Sequence, residues 1–201
     1  MDVVAAVATT SGKREVMRQA TAYYAFVKAK DETGKERATL NAVLAADRFD
    51  DEKFQRTFVI LAAQNTYLDI FRKYGSAAAL TAFDENAKSP IYQKVEELRS
   101  AVLAKGMAGG FGIAPETWFP VITDKINAMK VVEDILTKEI LSTAGDLAHD
   151  AKLALVVSLT LTCLAVILTF ARLRTAADRR TLQAGIACIR KTAHQQRFPD
   201  Y

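Results

Sequence analysis

Apolar residues recur at intervals of three and four along residues 13–152, and the alternation typical of strands is absent. Few turn residues interrupt this pattern, so each interruption marks the end of a helix. The pattern therefore predicts an all-α fold, an antiparallel helical bundle. Its helices are expected at about Lys13–Ala46, Asp50–Tyr74, Ser76–Asn86, Ser89–Lys105 and from Pro115 onward.

The last predicted helix carries a narrow stripe with 4-3 spacing, which is typical of a helix in a bundle or coiled coil. Pro120 lies within its first two turns, where it either kinks the helix or shifts its start. No other stop signal precedes residue 152, so the helix should continue into the segment that follows. Two interpretations stay open for it, a stalk that only tethers the bundle and a lever that transmits movement. The stripe consists of Ile122, Ile126, Met129, Glu133, Leu136, Ile140, Thr143 and Leu147.

Residues 153–171 contain no charged side chain. A helix needs about 20 such residues to cross the hydrocarbon core of a bilayer, so the segment is predicted to span a membrane. The alternative is a core helix of a soluble domain, which rarely stays uncharged for so long.

The charges that flank this span predict its orientation. Residues 133–152 contain two basic and five acidic residues, whereas residues 172–201 contain seven basic and two acidic residues. The excess of basic residues marks the cytoplasmic side. The sequence thus predicts a domain over residues 1–152 outside the cytoplasm, a single membrane span over 153–171 and a short basic cytoplasmic tail over 172–201.

The beginning of the chain does not resemble an export signal. Its apolar run, Val3–Ala8, is too short for a signal core and has no basic residue before it. Because export of a folded domain ahead of a single span needs such a signal or an earlier membrane helix, we expect an N-terminal truncation.

Composition and charge limit the classes of partner. Half of the residues are apolar, a quarter are charged and four are proline, which excludes disordered and collagen-like chains. The net charge of +4 does not extend over the predicted bundle, because residues 1–152 hold 20 basic and 21 acidic residues. The surplus lies in the tail, where acidic lipid headgroups are the expected partner and nucleic acid is not.

Signals of catalysis are missing from the sequence. His149 and His194 are the two histidines, and neither stands in a metal-ligand spacing or a catalytic triad pattern. The glycine-rich segment 106–112 follows no strand and lacks the lysine of a phosphate-binding loop. We expect it to be a connection that Phe111, Trp118 and Phe119 pack onto the bundle. The sequence predicts no enzyme, no metal and no cofactor.

The first long helix contains an irregular stripe. Starting at Val16, its 4-3 spacing passes through apolar residues that are interrupted by Lys30, Gly34, Arg37 and Asn41. If these polar groups face the interior, a small planar oxyanion between helices would offset the cost of burying the guanidinium. Gly34 would open the space beside it. The alternative is that Arg37 turns outward and pairs with Glu36, Asp31 or a carboxylate of another helix.

Three segments in this order resemble a known family. They are KAKDETGKERATLNAVLAADRF (28–49), FQRTFVILAAQNTYLDIF (54–71) and AGGFGIAPETWF (108–119), followed by a membrane helix. Together they resemble the C-terminal half of the nitrate- and nitrite-sensing (NIT) domain, with the core motif at Gly34, Glu36 and Arg37. The resemblance implies an all-helical periplasmic sensor that reports to chemoreceptor, histidine kinase or cyclic-dinucleotide modules.

The resemblance also implies a ligand site. In the family, two arginines on different helices hold the anion, and Arg37 matches one of them. The half that carries the partner arginine is not found here, and Arg14 and Arg18 do not match its motif. The implied function is nitrate or nitrite sensing with transmission through the last helix, by a homodimer or with a separate signalling partner. The predicted ligand-binding residues are Arg37, Gly34, Asn41 and Lys30.

Two other functions stay open at this stage. One is a structural single-pass protein whose helices only oligomerise. The other is a four-helix chemoreceptor-type sensor for a different ligand. Nitrate cannot be distinguished from nitrite by sequence alone, because both are small planar monovalent oxyanions.

Overall fold

A computed structural model describes the backbone of residues 2–195 and the side chains of residues 12–175, with those of Arg179 and Ile186. Within this part of the chain there are helices and no strand, which confirms the all-α prediction. The first helix begins at Asp2 instead of Lys13, and the other predicted bounds are correct to within a residue or two. The helices are α1 (Asp2–Ala46), α2 (Asp51–Tyr74), α3 (Ala77–Ala87), α4 (Pro90–Lys105) and α5 (Pro115–Gln195), with a 3-10 turn at Gly106–Ala108.

Side-chain caps explain why three of the helices begin where they do. The Asp50 carboxylate accepts a hydrogen bond from the Lys53 backbone N–H at the start of α2. The hydroxyl groups of Ser76 and Ser89 cap α3 and α4 in the same way. Each cap satisfies a backbone donor that has no partner inside the helix, and such a cap stabilises a helix by about 1 kcal/mol.

The helices up to Leu147 form one compact unit with two apolar clusters. In the first cluster the rings of Phe26, Phe71 and Phe83 join α1, α2 and α3, with centroids 4.8–6.1 Å apart. Such tilted and edge-to-face contacts add to the stabilisation from buried area. The second cluster joins α1, α4 and the start of α5 through Leu40, Val43, Leu44, Phe49, Val95, Leu98, Val102, Phe111, Trp118 and Ile122.

The glycine-rich segment between α4 and α5 is a connection held against the end of α1. Gly109 has φ +67°, and a Cβ there would lie 2.7 Å from the Asp47 carbonyl oxygen, so this position requires glycine. The N–H groups of Gly110 and Phe111 donate to the backbone oxygen and the carboxylate of Asp47, at 2.9 and 2.7 Å. The expected connection is therefore found, with Phe111 buried in the second cluster.

The aromatic residues at the start of α5 differ in their burial. Trp118 is fully buried, but Phe119 is 46% exposed, so the prediction that both rings pack onto the bundle is wrong for Phe119. Adjacent helix positions point about 100° apart, and only one of them reaches the core.

Pro120 lies inside α5 without ending it, close enough to the N-terminus that few backbone hydrogen bonds are affected.

The part of α5 from Ala148 belongs to a second compact unit. Its large apolar side chains from Leu153 to Phe170 are each more than half exposed. Within the described residues, α5 is the one helix that is long and apolar enough to cross a membrane, with a mean hydropathy of 2.5 over its most apolar window. The division into a domain over 1–152, a span over 153–171 and a tail over 172–201 stays a prediction.

Candidate functional site

The stripe of α1 that faces the core lies one residue earlier than predicted. It keeps the 4-3 spacing and carries small, apolar or hydrogen-bonded side chains. Lys30, Arg37 and Asn41 do not face the interior, which corrects the expectation drawn from Val16. They are partly buried on the flank of α1. The interior residues are Ala22, Phe26, Ala29, Thr33, Glu36, Leu40 and Val43.

Lys30 is occupied by an ion pair with α5. Its Nζ lies 2.5 Å from a carboxylate oxygen of Glu133, and both side chains are about one-fifth exposed. Gly34, one turn further along α1, leaves open space, because a Cβ at this position would meet no atom within 4 Å. Asn41 follows at the end of the same flank, where it is partly buried. Of the two cations among the predicted residues, Lys30 is therefore paired with a carboxylate, and Arg37 remains as the candidate for anion binding.

Arg37 lies against the first two turns of α5. Its guanidinium carbon is 4.8 Å from the centroid of the exposed Phe119 ring. Its Nη1 donates a hydrogen bond of 3.1 Å to the Thr123 hydroxyl, which in turn donates to the Phe119 carbonyl at 2.6 Å. The Arg37 carbonyl accepts from the buried Trp118 indole N–H at 3.1 Å. The backbone and the side chain of Arg37 are thus both held by α5.

No carboxylate lies within 4.0 Å of the Arg37 guanidinium in the described part of the chain. Glu36, its neighbour, is turned into the core and paired with Arg99. Asp31 pairs with Lys35 at 3.1 Å. The alternative that Arg37 pairs with Glu36, Asp31 or another carboxylate is therefore not observed among these residues.

This geometry suits a planar oxyanion. The guanidinium is a rigid planar fork with five N–H donors, and one of them is used by Thr123. Its contact with the face of the Phe119 ring attracts the guanidinium without consuming any of these donors. An oxyanion that approaches the free edge accepts two parallel charge-assisted hydrogen bonds, one on each of two oxygens, which a monatomic anion such as chloride does not match.

A comparison with known families decides the identity of the chain. The family model described as nitrate and nitrite sensing matches residues 1–141, well over half of the chain. The chain belongs to this family. It is 23% identical over 133 residues to the nitrate regulatory protein of Klebsiella oxytoca, an alignment that covers 66% of this chain and 33% of that relative. The chain thus spans about a third of the relative's length, and no solved structure matches it significantly.

The three residues that resemble the core motif of the family, Gly34, Glu36 and Arg37, lie in surroundings that differ from one another. Arg37 lies on the flank beside α5 and Gly34 lies beside open space, whereas Glu36 lies in the core between α1, α2 and α4. Sequence reasoning missed Glu36 as an interior residue, and it missed Thr123 and Phe119 as neighbours of Arg37. A second 4-3 stripe that begins at Ala22 was the available signal for Glu36. No signal could have paired Arg37 with α5, because that contact joins residues 86 positions apart.

Proposed function

We propose that this chain is the sensing part of a membrane receptor for nitrate or nitrite, without a catalytic role of its own. The anion binds at Arg37, and its presence is passed along α5. Membership of the family and the name of the Klebsiella oxytoca relative support the ligand class. The observation that carries the proposal is the position of Arg37, a stacked guanidinium with no carboxylate partner among the described residues.

The affinity depends on how many cations surround the anion. An exposed charge pair contributes only about 0–1 kcal/mol, whereas a desolvated charge-assisted bond contributes about 1.5–3 kcal/mol. The contacts of Arg37 within the described part of the chain include no second arginine. The proposal therefore includes a second cationic group, supplied by another copy of the chain in a homodimer.

We expect nitrate to bind the full chain in lipid nanodiscs and Arg37→Ala to weaken this binding about tenfold or more, the loss of one charge-assisted interaction. Isothermal titration calorimetry with sodium nitrate, at constant ionic strength set with sodium chloride, measures the effect. Arg48→Ala is the matched control, since this arginine is exposed beyond the end of α1. Its nitrate affinity should equal that of the native chain.

Two results would contradict the assignment of the anion to Arg37. One is a nitrate affinity of the folded Arg37→Ala variant equal to that of the native chain. The other is an equal loss in Arg37→Ala and Arg48→Ala, which would mean that only the total charge matters. Absence of any heat with nitrate and with nitrite would refute binding by this chain.

The proposed route across the membrane is α5 itself. Arg37 contacts Phe119 and Thr123 in its first turns, and the same helix contains the apolar segment from Leu153 to Phe170. An anion that accepts hydrogen bonds from the Arg37 guanidinium changes the contacts of this side chain with α5. In the proposed topology the bundle is periplasmic, α5 spans the inner membrane once, and the basic tail after residue 171 is cytoplasmic, near acidic lipid headgroups.

Cysteine labelling tests this topology. In a chain with Cys163→Ser and Cys188→Ser, placed behind an added membrane helix that directs its export, we introduce Ala148→Cys or Gln195→Cys as the one remaining thiol. A membrane-impermeant maleimide applied to intact cells should label position 148 and leave position 195 unlabelled until the cells are permeabilised. Labelling of position 195 in intact cells, or protection of position 148, would overturn the orientation.

A further inference from the structure

The side chain next to Arg37 in the sequence, Glu36, connects three helices inside the bundle. It is fully buried, and its Oε1 accepts a 2.6 Å hydrogen bond from Arg99 Nε. Its Oε2 accepts from Arg99 Nη2 at 2.9 Å and from Gln64 Nε2 at 2.8 Å. The carboxylate of α1 is thereby tied to α2 through Gln64 and to α4 through a bidentate pair with Arg99.

A buried ion pair is a poor device for stability alone. Removing two charges from water costs several kcal/mol, and well-packed apolar residues of similar volume often stabilise a protein as much or more. Hydrogen bonds are directional, so they form at only one rotation of a helix about its axis and one position along it. Apolar packing does not restrict a helix in this way. Three such bonds at Glu36 fix the rotation of α1 about its own axis.

Rotation of α1 determines where Arg37 points. The two residues are adjacent on one helix, so a rotation that moves Glu36 away from Arg99 also moves Arg37 relative to Phe119 and Thr123. Recognition of a small anion requires donors held within about 0.5 Å of their working positions by a supporting layer of contacts. The hydrogen bonds of Arg37 to α5 hold it from one side, and those of Glu36 hold it from the core.

We infer that Glu36, through its hydrogen bonds to Arg99 and Gln64, is a positioning residue that orients Arg37 for anion recognition. The inference rests on the proposed function, in which Arg37 binds the anion. It assigns different tasks to two neighbouring residues of one motif. Arg37 contacts the ligand, and Glu36 sets its direction.

An apolar replacement of the three partners separates positioning from stability. The variant Glu36→Leu, Gln64→Leu, Arg99→Met removes these polar bonds and the charges of both members of the Glu36–Arg99 pair together. Its midpoint of urea unfolding should equal or exceed that of the native chain, while its nitrate affinity should fall about tenfold, a usual size for coupling between groups in contact. Trp118, the chain's one tryptophan, donates to the Arg37 carbonyl, so its emission should shift to the red if α1 rotates.

A control variant breaks another ion pair of α1. Lys35→Met with Glu32→Leu removes a 2.6 Å pair within α1 itself, close to Arg37 in the sequence but without a bond to another helix. This control should keep the Trp118 emission and the nitrate affinity within twofold of the native values, about 0.4 kcal/mol. An equal loss in the control would overturn the specific role of Glu36.

Other outcomes of these measurements distinguish the inference about Glu36 from the proposed function. A folded apolar variant with native nitrate affinity and native Trp118 emission overturns the inference, while loss of binding in Arg37→Ala keeps the proposed function. Conversely, native affinity in Arg37→Ala refutes the proposed function, and the Trp118 shift then still shows whether Glu36 orients α1. If the triple variant does not fold, Glu36→Gln, a neutral side chain of the same shape, is measured in its place. The same loss of nitrate affinity and the same Trp118 shift are expected, but with a lower stability, because Arg99 then keeps an uncompensated charge.

Discussion

Glu36→Leu, made alone, is expected to lower the free energy of unfolding by about 3–5 kcal/mol, the usual cost of leaving one partner of a buried ion pair uncompensated. Arg99 is 11% exposed, so its guanidinium would remain in the core without the carboxylate that accepts two of its hydrogen bonds. Glu96 pairs with Arg99 at 2.5 Å from the exposed side and would offset part of the loss. We therefore expect a value near the lower end of this range.

The charge state of Arg99 supports this expectation. Burial acts to lower the pKa of Arg99, but the hydrogen bond and the negative charge of Glu36, with a smaller contribution from Glu96, outweigh burial and raise it. The guanidinium therefore stays charged in the native bundle and cannot escape the loss of Glu36 by releasing a proton.

Urea unfolding of the full chain, followed by Trp118 fluorescence, measures the change in free energy. The matched control is Glu97→Leu, the same substitution one residue after Glu96 on α4. Glu97 is 66% exposed, and among the residues that the structure describes it pairs with Lys94 alone. Its substitution should change the free energy by less than about 0.5 kcal/mol. A loss below about 1 kcal/mol in Glu36→Leu would show that the bundle relaxes and hydrates Arg99, against the expectation.

The register of α1 illustrates what the sequence predicts and what it does not. The caps at Asp50, Ser76 and Ser89 act within three residues, so their positions could be read directly and the structure confirms them. The face of α1 that packs into the core could not be read from the sequence, because the stripes that begin at Val16 and at Ala22 have the same spacing. The choice between them depends on Arg99, which is 63 residues away from Glu36.

The candidate site was predicted in part for the same reason. Arg37 was singled out because a guanidinium interrupts an apolar stripe, and that stripe is real, although it lies beside α5 and not in the core. Lys30 interrupts the stripe equally, and its interruption is resolved by Glu133 across the helix pair. A charge in a stripe therefore marks a position that needs a partner, and only the folded chain shows whether the partner is a carboxylate or is still missing among the described residues.

Lys125→Met is expected to stabilise the bundle at pH 7 and to lose this advantage as the pH rises toward 10. Lys125 lies on α5 with its Nζ 5.1 Å from the Tyr92 ring centroid, and no carboxylate lies within 4.0 Å of it in the described part of the chain. Burial, and next the positive charge of Arg99, lower the pKa of Lys125 to about 8, against the opposing charges of Glu36 and Glu96.

The sign of the pH dependence follows from the two pKa values. The folded-state pKa of Lys125, about 8, lies below the unfolded value of about 10.4. Below pH 8 both states are charged and the folded state bears the full cost of the buried ammonium. Between pH 8 and 10.4 the unfolded state holds more protons, so the native chain gains stability with rising pH. Lowering of the Lys125 pKa by this much corresponds to a gain on the order of 3 kcal/mol from Lys125→Met at pH 7.

Urea unfolding at pH values from 6.5 to 9.5, again followed by Trp118, tests this prediction as the difference between the variant and the native chain. That difference cancels the titration of groups common to both. Lys130→Met is the control on the same helix, since Lys130 is exposed and its pKa is raised by its hydrogen bond to Asp134. The control should show no gain at pH 7. A Lys125→Met variant that is less stable than the native chain at pH 7, or whose advantage grows with pH, would mean that the ammonium is solvated and that its contact with Tyr92 stabilises the bundle.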